Sequence, residues 1–258
     1  MQNLKKIIDC KIIFNTEIAP LHFVMQINAP FLAKHSIAGQ FVSVKVQENT
    51  TDPLLRIPLA VHEINHDNIG LLYRIVGKAT KILSTKRAQE NISVLGPLGN
   101  GFTIQKNNHA ILVAGGNGVA PLYFLAQTLI KKNKNVTIFI GAFNKEQILC
   151  AEKFTNLRAE VHIATEDGSL GFNGNVTELL DSRLRGNDDV IVYASGPQPM
   201  LTALAKITQQ LNISAQLSMD AYMACGIGAC RGCVVPTREG YKLCCKDGPV
   251  FDASVMEV

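Results

Sequence analysis

The stretch Cys225-Gly226-Ile227-Gly228-Ala229-Cys230-Arg231-Gly232-Cys233, followed by an adjacent pair at Cys244 and Cys245, organises the chain. Taken with Cys245, the spacing is C-x4-C-x2-C-x11-C, and its first part is the ligand spacing of plant-type [2Fe–2S] clusters. Four thiolates have to converge on a two-iron core, and here three of them come from one short loop. Gly226, Gly228 and Gly232 are expected to take positive φ and turn the loop's amides toward the sulfurs, where N–H···S bonds tune the potential. Structural zinc sites instead pair two short C-x2-4-C knuckles, whereas here a triple faces one ligand and its neighbour. The spacing favours an iron–sulfur cluster over zinc, and either over a disulfide. It does not separate Cys244 from Cys245, because either reaches the loop.

Upstream, from His109 to Leu217, short apolar strands alternate with helices. Ala110–Ala114 is a buried strand and Gly115-Gly116-Asn117-Gly118 a glycine turn. Val119–Lys132 is an amphipathic helix with Pro121 in its first turn, where proline is tolerated. Strands at Val136–Ile140, Glu160–Ala164, Val190–Ala194 and Ser214–Leu217 alternate with helices at Lys145–Phe154, Val176–Ser182 and Gln198–Leu211. The alternation predicts a parallel sheet with crossover helices. A strand that runs into glycines and then a helix N-terminus offers free amides to a pyrophosphate. The run is not the G-x-G-x-x-G fingerprint, and alone it is also explained as a tight turn. Ser195-Gly196-Pro197 supplies a second glycine loop at the carboxyl end of Val190–Ala194, the sheet edge where ligands bind. Two such loops on one edge point to a binding cleft. The charged segment from Asp181 to Asp189 has no apolar face and is expected to be a solvated loop.

From residue 4 to about residue 95, β-branched runs alternate with turn residues. Ile7–Phe14, His22–Ile27, Gln40–Val46, Ile57–Ile64, Gly70–Val76 and Ile92–Leu95 have ordinary strand lengths, and Asn, Asp, Pro and Gly punctuate them. Short strands without a long helix predict a small closed antiparallel barrel, with one short helix at Thr80–Ala88. Gly96-Pro97-Leu98-Gly99-Asn100-Gly101-Phe102 breaks the periodicity, and a domain boundary is expected there.

The totals agree with this division. A chain of 258 residues at 47% hydrophobic content can fill more than one core. The net charge of +4 is spread without a basic block, so nucleic acid is not an expected partner. Seven cysteines, four in one ligand-like cluster, fit a reducing compartment. Residues 1–10 contain no signal-peptide apolar region, and no apolar run nears the ~18 residues of a membrane span. A soluble, cytoplasmic protein is expected. The histidines at 22, 35, 62, 66, 109 and 162 show no ligand spacing and are expected to be surface or satisfied core residues. Cys10 and Cys150 are expected to be buried thiols.

The three parts, in this order, resemble the electron-transfer subunit of B-type dihydroorotate dehydrogenase, within the ferredoxin–NADP reductase superfamily. The resemblance rests on residues 54–60, 73–80 and 96–102, the glycine turn through Pro121, residues 166–171, Ser195-Gly196-Pro197, residues 223–233 and 245–251. It implies an FAD-binding β-barrel at 1–102, an NAD-binding α/β domain at 103–217 and a [2Fe–2S] segment at 218–258. It makes Cys225, Cys230, Cys233 and Cys245 the cluster ligands and Cys244 a bystander. It places FAD at Arg56-Ile57-Pro58-Leu59-Ala60, Leu72-Tyr73-Arg74 and Ala79-Thr80. It places NAD at Gly115, Gly116 and Gly118 and at Ser195-Gly196-Pro197. The implied activity passes electrons from a partner FMN-bearing catalytic subunit, through the cluster and FAD, to NAD+ in pyrimidine biosynthesis. The implied assembly is a heterotetramer of two catalytic and two electron-transfer subunits. The cluster loop, around Met223, residues 226–229 and Arg231, is then expected to face the partner.

The sequence departs from the family pattern at identifiable places. Ile57 stands where an arginine pairs the FAD phosphates, and Ala60 stands where a hydroxyl lies near the flavin. Arg56 is adjacent to Ile57, but one step along a strand turns a side chain to the other face. Ala79 replaces a glycine, Ser195 a cysteine near the nicotinamide, and Asp220 a glutamate. The flavin is therefore expected to be held mainly by backbone amides and by Tyr73, Arg74 and Thr80. Lys145 is the only candidate cation for a 2′-phosphate and Glu146 follows it, which favours NAD over NADP. Two other assignments fit the residues: a diaphorase-like subunit of a hydrogenase or ferredoxin–NADP transhydrogenase, and a cluster-bearing relay or sensor without flavin.

Overall fold

The computed structural model describes residues 5–48, 51–184 and 189–256. Its first part is a closed barrel. Strands β1 (Lys6–Ala19), β2 (His22–Asn28), β3 (Phe41–Lys45), β4 (Ile57–Asn65), β5 (Asn68–Arg74) and β6 (Asn91–Leu98) pair in the order β1-β2-β5-β4-β3-β6. All the pairs are antiparallel. Alternation along these strands sends Ile12, Met25, Ile27, Val42, Val44, Val61, Ile69, Leu71 and Val94 into one interior with no exposed surface. Each such side chain contributes roughly 1.5–3 kcal/mol when buried. Closure leaves no free edge strand.

Several expectations change in detail. β6 runs on through Gly96-Pro97-Leu98 rather than stopping at Leu95. The β3–β6 register shifts there, with Phe41 opposite Leu98 and Ser43 opposite Leu95. The irregularity accommodates Pro97, which has no N–H for the ladder. A helix missed in the sequence, α1 (Pro30–His35), starts with Pro30 in its first turn and buries Leu32. The helix expected at Thr80–Ala88 is α2 (Lys78–Ser84).

The second part is a sheet with helices on both faces. In chain order it contains β7 (His109–Gly115), α3 (Val119–Lys131), β8 (Asn135–Ala142), α4 (Ala151–Asn156), β9 (Glu160–Thr165), β10 (Phe172–Asn173), α5 (Val176–Leu184), β11 (Val190–Ser195), α6 (Gln198–Gln210) and β12 (Ala215–Ser218). The expected parallel sheet is present, with the order β10-β9-β8-β7-β11-β12. The helix expected over Lys145–Phe154 is broken. A 3-10 turn covers Lys145–Gln147, and Cys150 takes a left-handed φ of 61° before α4 begins. α5 extends through Leu184, which is buried, so the loop expected from Asp181 begins later. Residues 185–188 of that expected loop lie outside the described residues.

After the cysteine loop, β13 (Val234–Thr237) and β14 (Gly240–Leu243) form a hairpin, and β15 (Val250–Asp252) pairs antiparallel with β12. The C-terminal segment thereby returns to the α/β sheet and shares its core. Cys233, Val235, Cys244, Phe251 and Met256 pack in one buried cluster with Val192, Leu204 and Leu217. Among the described residues no helix is long and apolar enough to cross a membrane.

Candidate functional site: four cysteines beside the barrel

The cysteine loop lies between β12 and β13, pressed against the barrel. Gly226 (φ 69°) is so close to β3 and β6 that an added Cβ would lie 2.9 Å from Ser43 Oγ and 3.5 Å from Leu98 Cδ1. Gly228 also has positive φ (86°), but the third left-handed residue is Arg231 (58°) and not Gly232. The backbone is turned as expected, with its amides toward sulfur. Ile227 and Cys230 N–H donate to Cys225 Sγ at 3.5 and 3.4 Å, and Gly232 N–H to Cys230 Sγ at 3.4 Å. Cys245 N–H donates to Cys233 Sγ at 3.4 Å, and Gly228 N–H to Cys245 Sγ at 3.1 Å.

Each of these four sulfurs thus receives at least one amide, the donor set that stabilises thiolate and cluster sulfur. Burial pushes the Cys225 thiol up, but amides led by Cys230 and Ile227 outweigh it and pull it down to about 6. Burial, then the neighbouring Cys233, pushes Cys245 up to about 12, a thiol that a bound cation deprotonates. Among the described residues no three His, Cys, Asp or Glu groups converge as the ligands of a single ion do. A two-iron core divides its ligands between its metals and does not require that convergence. The residues fit a [2Fe–2S] cluster.

The adjacent cysteine behaves differently. Cys244 has no exposed surface, and its Sγ donates to the Met219 carbonyl at 3.4 Å. Burial, followed by Cys233 and Asp220, pushes its thiol up to about 12. Of the pair that spacing left open, Cys245 faces the loop and Cys244 faces the core.

The positions expected to meet a flavin lie on β4 and the residue before it, on β5 and on α2. Arg56 Nη1 donates to the Ser93 carbonyl at 2.9 Å, and its Nη2 donates to Ser93 Oγ at 2.9 Å. Its guanidinium therefore braces β6 and does not substitute at position 57. Ile57 and Leu59 are half-buried against the barrel interior, while Ala60 packs on the cluster shared with α3. Leu72 belongs to that shared cluster and is 3% exposed. Tyr73 is 2% exposed, and its hydroxyl donates to Asn15 Oδ1 at 2.8 Å, so its side chain serves the barrel. Arg74 is exposed at the end of β5. Thr80 Oγ1 accepts from Val76 and Gly77 N–H at 2.9 and 3.1 Å, fixing the turn before α2, and Ala79 is half-buried beside it. Exposed Leu54, Leu55 and Val76 give this end of the barrel apolar surface. The described side chains at positions 56 and 57 offer a phosphate no cation.

The two glycine loops meet as expected, because β7 and β11 are paired neighbours. Their glycines do different jobs. At Gly118 an added Cβ would lie 1.8 Å from the Ser195 carbonyl oxygen, so this glycine lets the loops touch. At Gly115 it would lie 2.7 Å from Pro197 Cδ. Gly116 has φ 51° with nothing within 4 Å of an added Cβ, and so leaves open space at the start of α3. Gly196 closes on Gly115 from the other side, and Ser195 is buried. A third loop joins this edge, where Lys145 N–H donates to Ser169 Oγ at 2.8 Å. The edge fits a dinucleotide, with open space beside Gly116.

One site-bearing contact had no signal in the sequence. His62 on β4 lies fully buried against α3, its Nδ1 2.9 Å from the Ala120 carbonyl and its ring stacked on Tyr123 at 5.0 Å. Nε2 has no partner, so the expectation of a satisfied core histidine is only half met. Lys153 pairs Glu63 at 2.7 Å across the same boundary. The side chain two residues beyond Ala60 thereby ties the flavin-position strand to the helix that follows the glycine turn.

Two family models match parts of the chain. A family described as the iron–sulfur cluster binding domain of dihydroorotate dehydrogenase B matches residues 220–257, and the oxidoreductase NAD-binding domain matches residues 112–206. The electron transfer subunit of dihydroorotate dehydrogenase B (NAD(+)) from Desulforamulus reducens is 38% identical over 255 residues, 96% of this chain and 97% of the relative. Its counterpart in a Geobacillus species is 45% identical over 240 residues, covering 90% and 88%. Among solved structures, an NADH-dependent reduced ferredoxin–NADP oxidoreductase studied for flavin-based electron bifurcation superposes with TM-score 0.87 at 30% identity, covering 96% of this chain and 89% of its own. The Neisseria gonorrhoeae ferredoxin–NADP+ reductase, at 16% identity and TM-score 0.68 over 80% and 91% of the two chains, shares the fold. With relatives this similar over nearly its whole length, the chain belongs to the family of dihydroorotate dehydrogenase B electron transfer subunits.

Proposed function

We propose that this oxidoreductase subunit carries electrons from an FMN-bearing dihydroorotate dehydrogenase catalytic subunit to NAD+, in the cytoplasmic synthesis of pyrimidines. The observation that carries the reading is that four cysteine sulfurs, three on a loop lying against the barrel and one on the turn after β14, each accept a backbone amide. Cys225, Cys230, Cys233 and Cys245 would hold the cluster. The backbone of Pro58–Ala60, Leu72–Arg74 and Ala79–Thr80 would hold FAD, with Ile57 contributing apolar contact in place of a phosphate cation. The amides beyond Gly116, together with Gly115, Gly118 and Ser195-Gly196-Pro197, would receive the NAD pyrophosphate. When bound, these groups supply one-electron exchange at the cluster and its conversion at the flavin to hydride exchange with NAD+.

The protein's own share is placement. The loop amides stabilise charge on the thiolates, Gly118 brings the two nucleotide loops into contact, and His62 with Tyr123 keeps β4 on α3. The working units are 1–102, 103–217 and 218–258, with β15 tying the last to the second. Tyr222, 99% exposed, and Ile227, 44% exposed, flank the loop, and with Arg231 they suit a partner surface in a heterotetramer of two catalytic and two electron-transfer subunits. The 30% identical relative favours a second reading with the same site and another partner, a ferredoxin–NADP transhydrogenase subunit.

The test mixes the purified protein with the same organism's dihydroorotate dehydrogenase catalytic subunit, without oxygen, and follows NADH. Dihydroorotate-dependent NADH formation that needs both proteins is expected. No NADH from a cofactor-replete mixture would set the reading aside.

A further inference from the structure

Residues 96–102 and 245–251 hold one another. Asn100 Nδ2 donates to the Lys246 carbonyl at 3.1 Å and to the Asp247 carbonyl at 2.9 Å. Its own N–H donates to the Gly248 carbonyl at 2.6 Å. These carbonyls belong to the three residues that follow Cys245. The approach is close enough that a Cβ on Gly99 (φ 73°) would lie 2.5 Å from Pro249 Cδ. Behind Asn100, Gln40, only 3% exposed, donates from Nε2 to the Gly99 carbonyl at 2.8 Å. Val61 N–H in turn donates to the Gln40 carbonyl at 3.0 Å, and Val61 follows Ala60 on β4. A hydrogen-bonded strap thus runs from the strand at the flavin positions, through Gln40, Gly99 and Asn100, to the turn that carries Cys245.

We infer that Asn100 is a positioning residue for the cluster: its two amide hydrogens fix the Cys245 turn at a set place relative to β4. The inference rests on the proposed cluster and adds a role for a residue that touches neither cluster nor flavin. The residue type suits the task. A primary amide presents two donors from one short side chain, which lets it span two consecutive carbonyls. Aspartate has the same shape but would turn only acceptors toward those carbonyls. Electron exchange between cluster and flavin falls steeply with separation, so a turn free to shift would carry Cys245, and with it the cluster, out of place.

The experiment uses the full chain purified without oxygen, as wild type, Asn100→Ala and Asn100→Asp. It measures iron release to a chelator and the electron paramagnetic resonance spectrum of the reduced protein, with melting temperature and flavin content as folding controls. Losing two hydrogen bonds to the turn is expected to speed iron release roughly tenfold in Asn100→Ala and to shift the spectrum, while the controls stay near wild type. Asn100→Asp is expected to exceed Asn100→Ala in both readouts. Wild-type release and spectrum in both variants would overturn the inference, as would an Asn100→Asp protein closer to wild type than Asn100→Ala. If either variant fails to fold, Asn100→Ser, which keeps one donor, decides by the same readouts: an intermediate release rate supports the role and a wild-type rate removes it. A wild-type protein without iron would instead overturn the proposed function itself.

Discussion

Acid should loosen the joint between barrel and α/β domain at His62. Burial, then the nearby Lys153, lowers this imidazole from 6.5 to about 4, while the Ala120 carbonyl and Glu63 pull the other way. Lys153, Glu63, Tyr123 and Cys150 are the charged and titratable side chains seen at this joint. The folded protein therefore keeps His62 neutral through a window in which the unfolded chain takes up a proton. Above about pH 6.5 both states are neutral and nothing is lost. As the pH falls from 6.5 toward 4, stability drops with the proton bound only by the unfolded chain. At 1.36 kcal/mol per pH unit, the loss is on the order of 2 kcal/mol by pH 5 and about 3 kcal/mol at the bottom of the window. His62→Leu cannot take up that proton. It loses the contact to Ala120 but also the unpartnered Nε2, so it should match wild type to within about 1 kcal/mol at pH 7. Denaturant unfolding of both proteins at pH 7.0, 6.0 and 5.0 isolates the term, because the carboxylates and the cluster are common to both. The gap between the curves should move in favour of His62→Leu as the pH falls. Parallel loss in the two proteins would refute the buried, neutral imidazole.

Three further outcomes follow from the site geometry. Cys245→Ser should lose the cluster iron, while Cys244→Ser, which alters a thiol bonded to the Met219 carbonyl, should keep it; iron counts on both variants check this, and equal loss would contradict the assignment. Gly118→Ala drives a Cβ into the Ser195 carbonyl and should cost about 3 kcal/mol, on the order of 10 °C in melting temperature, whereas Gly116→Ala meets open space, costs about 1–2 kcal/mol of backbone strain and should chiefly raise the KM for NADH. The reverse ranking of the two glycines would remove Gly116 from the proposed nucleotide site. Arg231→Glu should weaken association with the catalytic subunit without emptying the cluster, as read by gel filtration and iron content together; an intact complex with lost iron would show that Arg231 serves the loop instead.

The cluster loop was legible because ligand spacing is a local property, and so were the glycine loops, because strand–glycine–helix order fixes which sheet edge they occupy. What the sequence hid depended on contacts between distant residues. Nothing near Tyr73 announces that Asn15 takes its hydroxyl, or that Arg56 spends its guanidinium on Ser93. The break before α4 comes from one left-handed residue, Cys150, inside a run with helical periodicity. β13, β14 and β15 are three or four residues long, too short for a periodic signal. The glycines and proline of the run 96–102 interrupt periodicity, which hides that residues 96–98 continue β6 and that Asn100 clasps the Cys245 turn.

The departures at Ile57 and Ala60 put most weight on whether flavin is bound, so the most direct test counts cofactors. Protein purified without oxygen should contain iron and extractable flavin together, and its visible absorption should bleach when NADH is added. Iron without flavin, or both without bleaching, would contradict the relay from cluster through flavin to NAD+.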